Sequence, residues 1–486
     1  MPSSTRPVED SQLPPQKRVK FAPLHDDVSR ATEIQPHPLR IKPSGNALGA
    51  TTNLRDTSTG LFCIFPDELI LQVFGYLGSE DLVSLGKTSK GMYGFSRAEE
   101  LWKQLFIESE LSKNPFTWQG TWRLTYLNRP AKYDSQIPLP NFYSDCLYRP
   151  WHMSQITPGP YASRIPVANR IQRFDNLDPS EFPSYSSIPF ILTDPVKSWP
   201  AYKWTYQTLC SQFGSTPFRA EAVDWPLSIY IFYMLNQVDE SPLYLFDRNF
   251  VQKTNSESAF QPPECFGPDY FAVLGEQRPD HRWMILGPSR SGSTFHKDPN
   301  ATSAWNAVLQ GEKYWIMFPP TVTPPGVFVS DDQAEVTSPL SIAEWLVSFH
   351  SIARKTPGCV EGICKAGEIL YVPSGWWHLV VNTEDSLALT QNFVPEDKVS
   401  NVLEFLDEQR VSVSGFDCDK VMDPYGLFVE RMGEQYPEVL ERAQEQLRER
   451  REKRERKTKW EQLVEAKQTG GGGFSFGFGG GDSDSD

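Results

Sequence analysis

The chain has 486 residues, 39% of them hydrophobic and 22% charged, with 47 basic against 61 acidic side chains for a net charge of -14. That length favours two or three domains, and the low apolar share leaves part of the chain outside any core. So acidic a balance argues against direct nucleic-acid binding through bulk charge. Seven cysteines, scattered at 63, 146, 210, 265, 359, 364 and 418, form no disulfide framework. No basic-then-apolar leader and no run of about 18 apolar residues occurs, which excludes secreted and membrane-spanning readings. A reducing compartment is expected.

Residues 1–58 are rich in Pro, Ser, Thr and charge without a hydrophobic period, and read as a disordered tail. The cluster Lys17-Arg18-Val19-Lys20 is either a solvated stretch or a nuclear import signal; a nuclear location, alone or shared with the cytoplasm, is the expectation. Over 59–108 the character changes. Ile64, Phe65, Leu69, Ile70, Val73, Phe74 and Leu77 recur at helical spacing, Pro66 suits a first turn, and Asp67 and Glu68 face the positive end of the dipole. Gly78-Ser79 breaks the helix, Asp81 to Leu85 begins a second, and Glu100, Leu101, Trp102 and Phe106 mark a third. So small a bundle is marginal alone and meant to dock.

The runs Phe65-Pro66-Asp67-Glu68-Leu69, Val73-Phe74-Gly75-Tyr76-Leu77, Thr88-Ser89-Lys90 and Leu101-Trp102-Lys103 resemble an F-box. The resemblance implies a Skp-family adaptor of a cullin–RING ubiquitin ligase as partner. The residues by themselves show a small helical unit, and a helical cap on the next domain is the alternative.

Residues 109–185 hold many Trp, Tyr and Pro with little period and read as irregular connecting structure. From 186 to 396 short strands punctuated by Gly and Pro follow, among them Trp283–Leu286, Lys313–Phe318, Glu368–Val372, His378–Val381 and Leu387–Phe393. That pattern predicts a sandwich, barrel or jelly roll. A helical region spans 397–466, in which Arg448 to Lys459 carries eight basic and three acidic residues. It reads as a solvated helix with i,i+4 pairs, or as a nuclear signal or acidic-partner contact. A disordered Gly/Phe and Asp/Ser tail closes the chain at 467–486.

Only seven histidines occur. His296 and Asp298 stand at i, i+2 in Thr294-Phe295-His296-Lys297-Asp298, a spacing that puts imidazole and carboxylate on one face of a strand. His378 opens a strand just after Pro373-Ser374-Gly375-Trp376-Trp377. Two His and one carboxylate make the facial triad of non-heme Fe(II) oxygenases, with positions left open for a co-substrate and O2. Lys313, in an otherwise apolar strand, is costly inside a small barrel unless it meets an anion. The distal carboxylate of 2-oxoglutarate would be that anion, and Thr390 offers a hydroxyl from a neighbouring strand. A lysine on the solvent face of an edge strand is the alternative for Lys313. Cys359 and Cys364 lack a further Cys/His pair nearby and read as ordinary buried cysteines rather than a zinc site.

The stretch Ser241 to Phe393 resembles a JmjC domain of the 2-oxoglutarate oxygenase superfamily. Ser241-Pro242-Leu243-Tyr244, Gly287 to Ser293, Thr302-Ser303-Ala304-Trp305-Asn306 and Gly375-Trp376-Trp377-His378 look most like the Jumonji lysyl hydroxylase and arginine demethylase subgroup once called the phosphatidylserine receptor. The resemblance implies an all-β double-stranded β-helix (a cupin-like jelly roll) with flanking helices, behind the α-helical F-box. It implies Fe(II), 2-oxoglutarate and O2 as metal, co-substrate and oxidant. His296, Asp298 and His378 match the iron ligands, and Lys313 and Thr390 the holders of the distal carboxylate, with Tyr244, Asn306 and Ser293 in support. Ser293 stands where the subgroup has a threonine, and the subgroup lacks an F-box and carries basic tracts and a polyserine tail not seen here. The implied activity is lysine hydroxylation or demethylation of methyl-lysine or methyl-arginine in a protein substrate such as a histone or an RNA-processing protein. A ubiquitin-ligase substrate receptor with the jelly roll as a binding module is the rival.

Overall fold

A computed structural model describes residues 34–469 apart from Asn114, Ser135 and 331–334, with side chains described to Lys457. The Lys17–Lys20 cluster and the Gly/Phe tail lie outside the described residues. The expectation of a disordered tail over 1–58 is corrected for its last part. Leu39 and Ile41 are buried, Lys42 bridges to Tyr143, and Asn53 caps the helix Leu54–Ser58 by accepting from the Arg55 N–H at 3.0 Å. Two apolar residues in a polar stretch are too few to show a period, yet enough to anchor it.

Four helices follow: α1 Asp67–Phe74, α2 Ser79–Leu85, α3 Lys90–Phe95 and α4 Glu99–Glu108. Pro66 precedes α1, Asp67 and Glu68 fill its first turn, and Gly75 ends it. The Thr88-Ser89-Lys90 run marks a fourth, shorter helix that periodicity did not reveal; the Ser89 hydroxyl accepts from the Met92 N–H at 3.2 Å. Ile70 and Phe74, one turn apart, are buried, whereas Leu69 and Val73 stay exposed. The core of these helices runs without a boundary into the next segment of the chain. Phe106 packs edge-on against Phe116 at 4.8 Å and Trp225 at 6.1 Å, and Trp118 against Tyr233 at 4.9 Å. The Glu99 carboxylate accepts from the Trp122 N–H at 2.7 Å, and the Trp122 indole donates to Asp239 at 3.0 Å. One apolar cluster therefore runs from Ile70 and Trp102 to Trp305 and Leu389 behind the large sheet.

The jelly roll has eight strands: β1 Arg282–Gly287, β2 Gly292–His296, β3 Ser303–Gln310, β4 Glu312–Phe318, β5 Val360–Lys365, β6 Ile369–Val372, β7 Trp377–Asn382 and β8 Ser386–Phe393. One sheet has the order β6-β3-β8-β1, extended at both ends by short strands from residues 172–247, and the other β5-β4-β7-β2. Most of these strands bury both faces, which hides the alternation expected of a half-exposed sheet. Val308, Trp315, Met317, Leu370 and Val380 fill the interior. Tyr314, Ile316 and Leu379 point outward beneath helix α5, Ile342–Ala353. Beyond β8 come α6 Val399–Glu408, α7 Pro424–Gln435 and α8 Pro437–Thr469, which share an apolar cluster of their own. No helix among the described residues is long and apolar enough to cross a membrane.

Candidate active site

Strand β2 ends at His296, and Asp298 follows in extended backbone (φ -62°, ψ 145°), so the i, i+2 relation survives although the strand does not. His378 lies opposite His296 in the β2–β7 ladder, beside a register shift before Val380 of the kind that re-aims a side chain. The ring centroids are 4.1 Å apart, and one ligand atom each from His296, Asp298 and His378 lies within 4.8 Å of the others. Each imidazole is steered by its own chain. Nδ1 of His296 donates to the Thr294 carbonyl at 2.8 Å and Nδ1 of His378 to the Trp376 carbonyl at 3.1 Å, which leaves both Nε2 atoms as free lone pairs.

Asp298 completes the set under electrostatic load. Its Oδ1 accepts from the Asn392 amide at 3.3 Å, while its Oδ2 is buried with no partner. Burial pushes the carboxyl up to about 6, against the opposing pull of His296 and the Asn392 hydrogen bond. Burial, then the charge of His296, pushes His378 well below the usual imidazole range. An orphaned carboxylate oxygen beside two neutral imidazoles is a place where a cation would supply the counter-charge. Two nitrogens and one oxygen on one side suit Fe(II) with open positions. These three residues could hold it, and among the described residues no other such group of His, Cys, Asp and Glu occurs. Cys359 and Cys364 are buried in separate clusters.

The β4–β7 register forms rungs inside the barrel: Met317 opposite His378, Trp315 opposite Val380, and Lys313 opposite Asn382. Lys313 thus stands two rungs inward from the metal ligands. It is fully buried, its Nζ donating to the Tyr244 hydroxyl at 2.6 Å and to Asn382 Oδ1 at 2.7 Å. Burial pulls the amine down to about 7. This excludes the solvent-facing lysine of an edge strand. Thr390 is not on a neighbouring strand as expected. It belongs to β8 of the opposite sheet, where it pairs with Asn306 of β3 and its hydroxyl donates to the Trp305 carbonyl at 2.8 Å. Asn306 Oδ1 is buried without a partner. Ser293 pairs with Val380 and lines a cavity of about 410 Å³ together with His296, Thr294 and Ser241. A second cleft, of about 790 Å³, reaches His296 and Asp298 from the side of α6.

Sequence reasoning missed Asn392 and Asn382, the partners of Asp298 and Lys313. Asn392 stands at i+2 from Thr390 and Asn382 at i+4 from His378, so the strand period alone put both on the inner face. It also missed Gly287, where a Cβ would sit 2.6 Å from Tyr244 Cδ2 and closer still to Ser291 Oγ. Gly287→Ala is expected to displace the Tyr244 ring and weaken 2-oxoglutarate binding at an overpacking cost of about 1–3 kcal/mol, with metal affinity unchanged. Calorimetry with each ligand separates the two effects.

Known proteins share both halves of this arrangement. A cupin-like domain model matches residues 230–398 and an F-box-like model residues 62–108. The chain is 38% identical over 442 residues to the arginine-specific demethylase JMJ22 of Arabidopsis thaliana, covering 87% of this chain and 86% of the relative. It is 32% identical to the bifunctional arginine demethylase and lysyl-hydroxylase psr-1 of Caenorhabditis elegans, over 57% of this chain and 71% of that one. It is 29% identical to the human 2-oxoglutarate and iron-dependent oxygenase JMJD4, over 35% and 41%. Two apposed histidines, a buried carboxylate and an interior lysine in a jelly roll joined to an F-box-like region place the chain in the JmjC family of Fe(II)- and 2-oxoglutarate-dependent oxygenases.

Proposed function

We propose that the protein demethylates arginine side chains of a basic protein substrate, with His296, Asp298 and His378 holding Fe(II) and Lys313, Thr390, Tyr244, Asn306 and Ser293 holding 2-oxoglutarate. The reaction class, dioxygenation of a protein side chain, rests on one observation above all. A fully buried lysine stands two rungs inward from a metal-binding set whose carboxylate has an outer oxygen with no partner. Arginine is preferred because the relative that aligns over most of the chain carries that activity.

Bound iron, with 2-oxoglutarate and O2, supplies the oxidising chemistry: the co-substrate leaves as succinate and CO2, and one oxygen atom enters a substrate C–H bond. The chain's own part is to bind and to orient. The Thr294 and Trp376 carbonyls fix the two rings, and Asn392 fixes the carboxylate. Lys313 offers a cation at the closed end of the pocket, where the interior side chains exclude water. A carbon-hydroxylated N-methyl group releases formaldehyde and restores the N–H, whereas a hydroxylated lysine carbon keeps its oxygen. The held C–H bond therefore selects the outcome. Incubation with Fe(II), 2-oxoglutarate, ascorbate and dimethylarginine peptides should give formaldehyde and a peptide lighter by CH2. A peptide heavier by one oxygen would replace demethylation with hydroxylation. A nuclear location belongs to the same proposal, motivated by the Lys17–Lys20 cluster and the basic run in α8, and imaging of the tagged full chain tests it.

A second reading has an observation of its own and coexists with the first. The F-box-like helices expose Leu61 (87%), Ile64 (75%) and Tyr76 (84%) beside Leu69 and Val73, an apolar face that the continuous core does not use. A Skp-family adaptor is the partner proposed for it. Ile64→Asp with Tyr76→Asp is expected to abolish co-purification of the adaptor and leave 2-oxoglutarate turnover and melting temperature unchanged. If no adaptor co-purifies with the unaltered chain, the face is the surface of a structural cap.

A further inference from the structure

The cleft of about 790 Å³ that reaches His296 and Asp298 has a charged outer wall. Glu404 and Glu408, one turn apart on α6, line it, and so do Arg450 and Arg454, one turn apart on α8. These four are paired with one another. Arg450 Nη1 donates to Glu404 Oε2 at 3.1 Å and to Asn401 Oδ1 at 2.9 Å. Arg454 Nη1 donates to Glu408 Oε2 at 2.9 Å, and its Nη2 donates to Glu404. Arg451 instead takes Asp407 at 2.7 Å and Glu408 at 3.0 Å without lining the cleft.

Two features separate these pairs from an ordinary helix clamp. The apolar seam of the C-terminal helices ends at Leu447, and from Arg448 to Lys457 no α8 side chain is buried, so charge pairs hold this stretch to α6. The guanidinium groups are also part-exposed, Arg454 by 56%, so water and salt screen them and another cation can exchange with them. Carboxylates one turn apart at the rim of an oxygenase cleft suit the forked donors of arginine.

We propose that Glu404 and Glu408 form the subsite for a cationic residue flanking the target in a basic protein substrate, and that Arg450 and Arg454 occupy this subsite as an internal mimic until substrate displaces them. The proposal rests on the reading that the cleft admits a basic protein substrate, and binding rather than turnover tests it. The full chain is titrated against a fluorescent dimethylarginine peptide flanked by arginines, and against the same peptide flanked by glutamines. If the arginines fill the subsite about nine-tenths of the time, R450A/R454A binds the arginine-flanked peptide about tenfold more tightly. The glutamine-flanked peptide does not change, E404Q/E408Q weakens binding of the arginine-flanked one, and R451A alters neither. R450K/R454K, which keeps charge but loses the fork, falls between parent and R450A/R454A. Should R450A/R454A melt early, R450K/R454K carries the test alone. Unchanged or weaker binding of the arginine-flanked peptide by a folded variant would make these arginines a clamp and overturn the proposal. Mass analysis of the same peptide reports the reaction independently: a binding response without demethylation overturns arginine as the target and leaves the subsite standing.

Discussion

Lys313→Met is expected to lower the affinity for 2-oxoglutarate more than a hundredfold while leaving the unliganded protein as stable as the parent, or more so. Breaking a buried ion pair costs about 3–5 kcal/mol, and each 1.4 kcal/mol is about tenfold. The stability effect has the opposite sign because in the free protein the amine has only the neutral partners Tyr244 and Asn382. Its folded pKa of about 7 lies below the ordinary lysine value of 10.5, so between these values the unfolded chain binds the extra proton and folding grows more favourable as pH rises. The stability difference between variant and parent should therefore shrink as pH climbs through that window. The co-substrate's carboxylate favours the charged amine, so binding above neutral pH should take up a proton. Calorimetry in buffers of different ionisation enthalpy, with Mn(II) in place of iron, measures both affinity and uptake. An unchanged affinity would mean that another group holds the co-substrate.

Asp298→Ala is expected to abolish turnover and to lower divalent-metal affinity well over a hundredfold, since even the loss of a group supporting a ligand costs about 10–100-fold. The fold should survive, because the orphaned Oδ2 makes this carboxylate a burden in the metal-free protein. Its folded pKa of about 6 lies above the ordinary aspartate value of 3.8, so its proton stabilises the folded form at low pH and that contribution is lost as pH rises through about 6. Metal must displace the proton, so affinity in the parent should weaken below about pH 6 and the variant should lose that dependence. Metal titrations followed by intrinsic fluorescence at two pH values decide it. Full turnover by purified Asp298→Ala would remove this residue from the site.

The chemistry-bearing residues were legible because each violated a local expectation. A lysine stood in an apolar strand and two histidines had polar neighbours at strand spacing. The jelly roll followed from the density of short β-rich runs between turns. Strands β2, β3 and β5 were harder to see: Gly292-Ser293-Thr294 and Gly362 dilute the apolar signal, and β3 is buried on both faces. The side of the barrel on which Thr390 sits could not be read from its strand, because position along the chain does not say which sheet a strand joins. Asn53 and Ser89 caps mark helices too short for a period, so Leu54–Ser58 and α3 emerged only from contacts.

The shared core of the F-box-like helices and the large sheet also bears on how the chain is made. Phe106 and Trp118 are completed by Trp225 and Tyr233, more than a hundred residues later, and the rest of that core needs Trp305 and Leu389. A ribosome adds about 5–20 residues per second, so the first helices wait several seconds with their inner faces unpaired. During that interval Trp102, Phe106 and Trp122 are ligands for holding chaperones. The same long closure means that a fragment ending near residue 110 should emerge sticky and incomplete rather than as an autonomous adaptor-binding module.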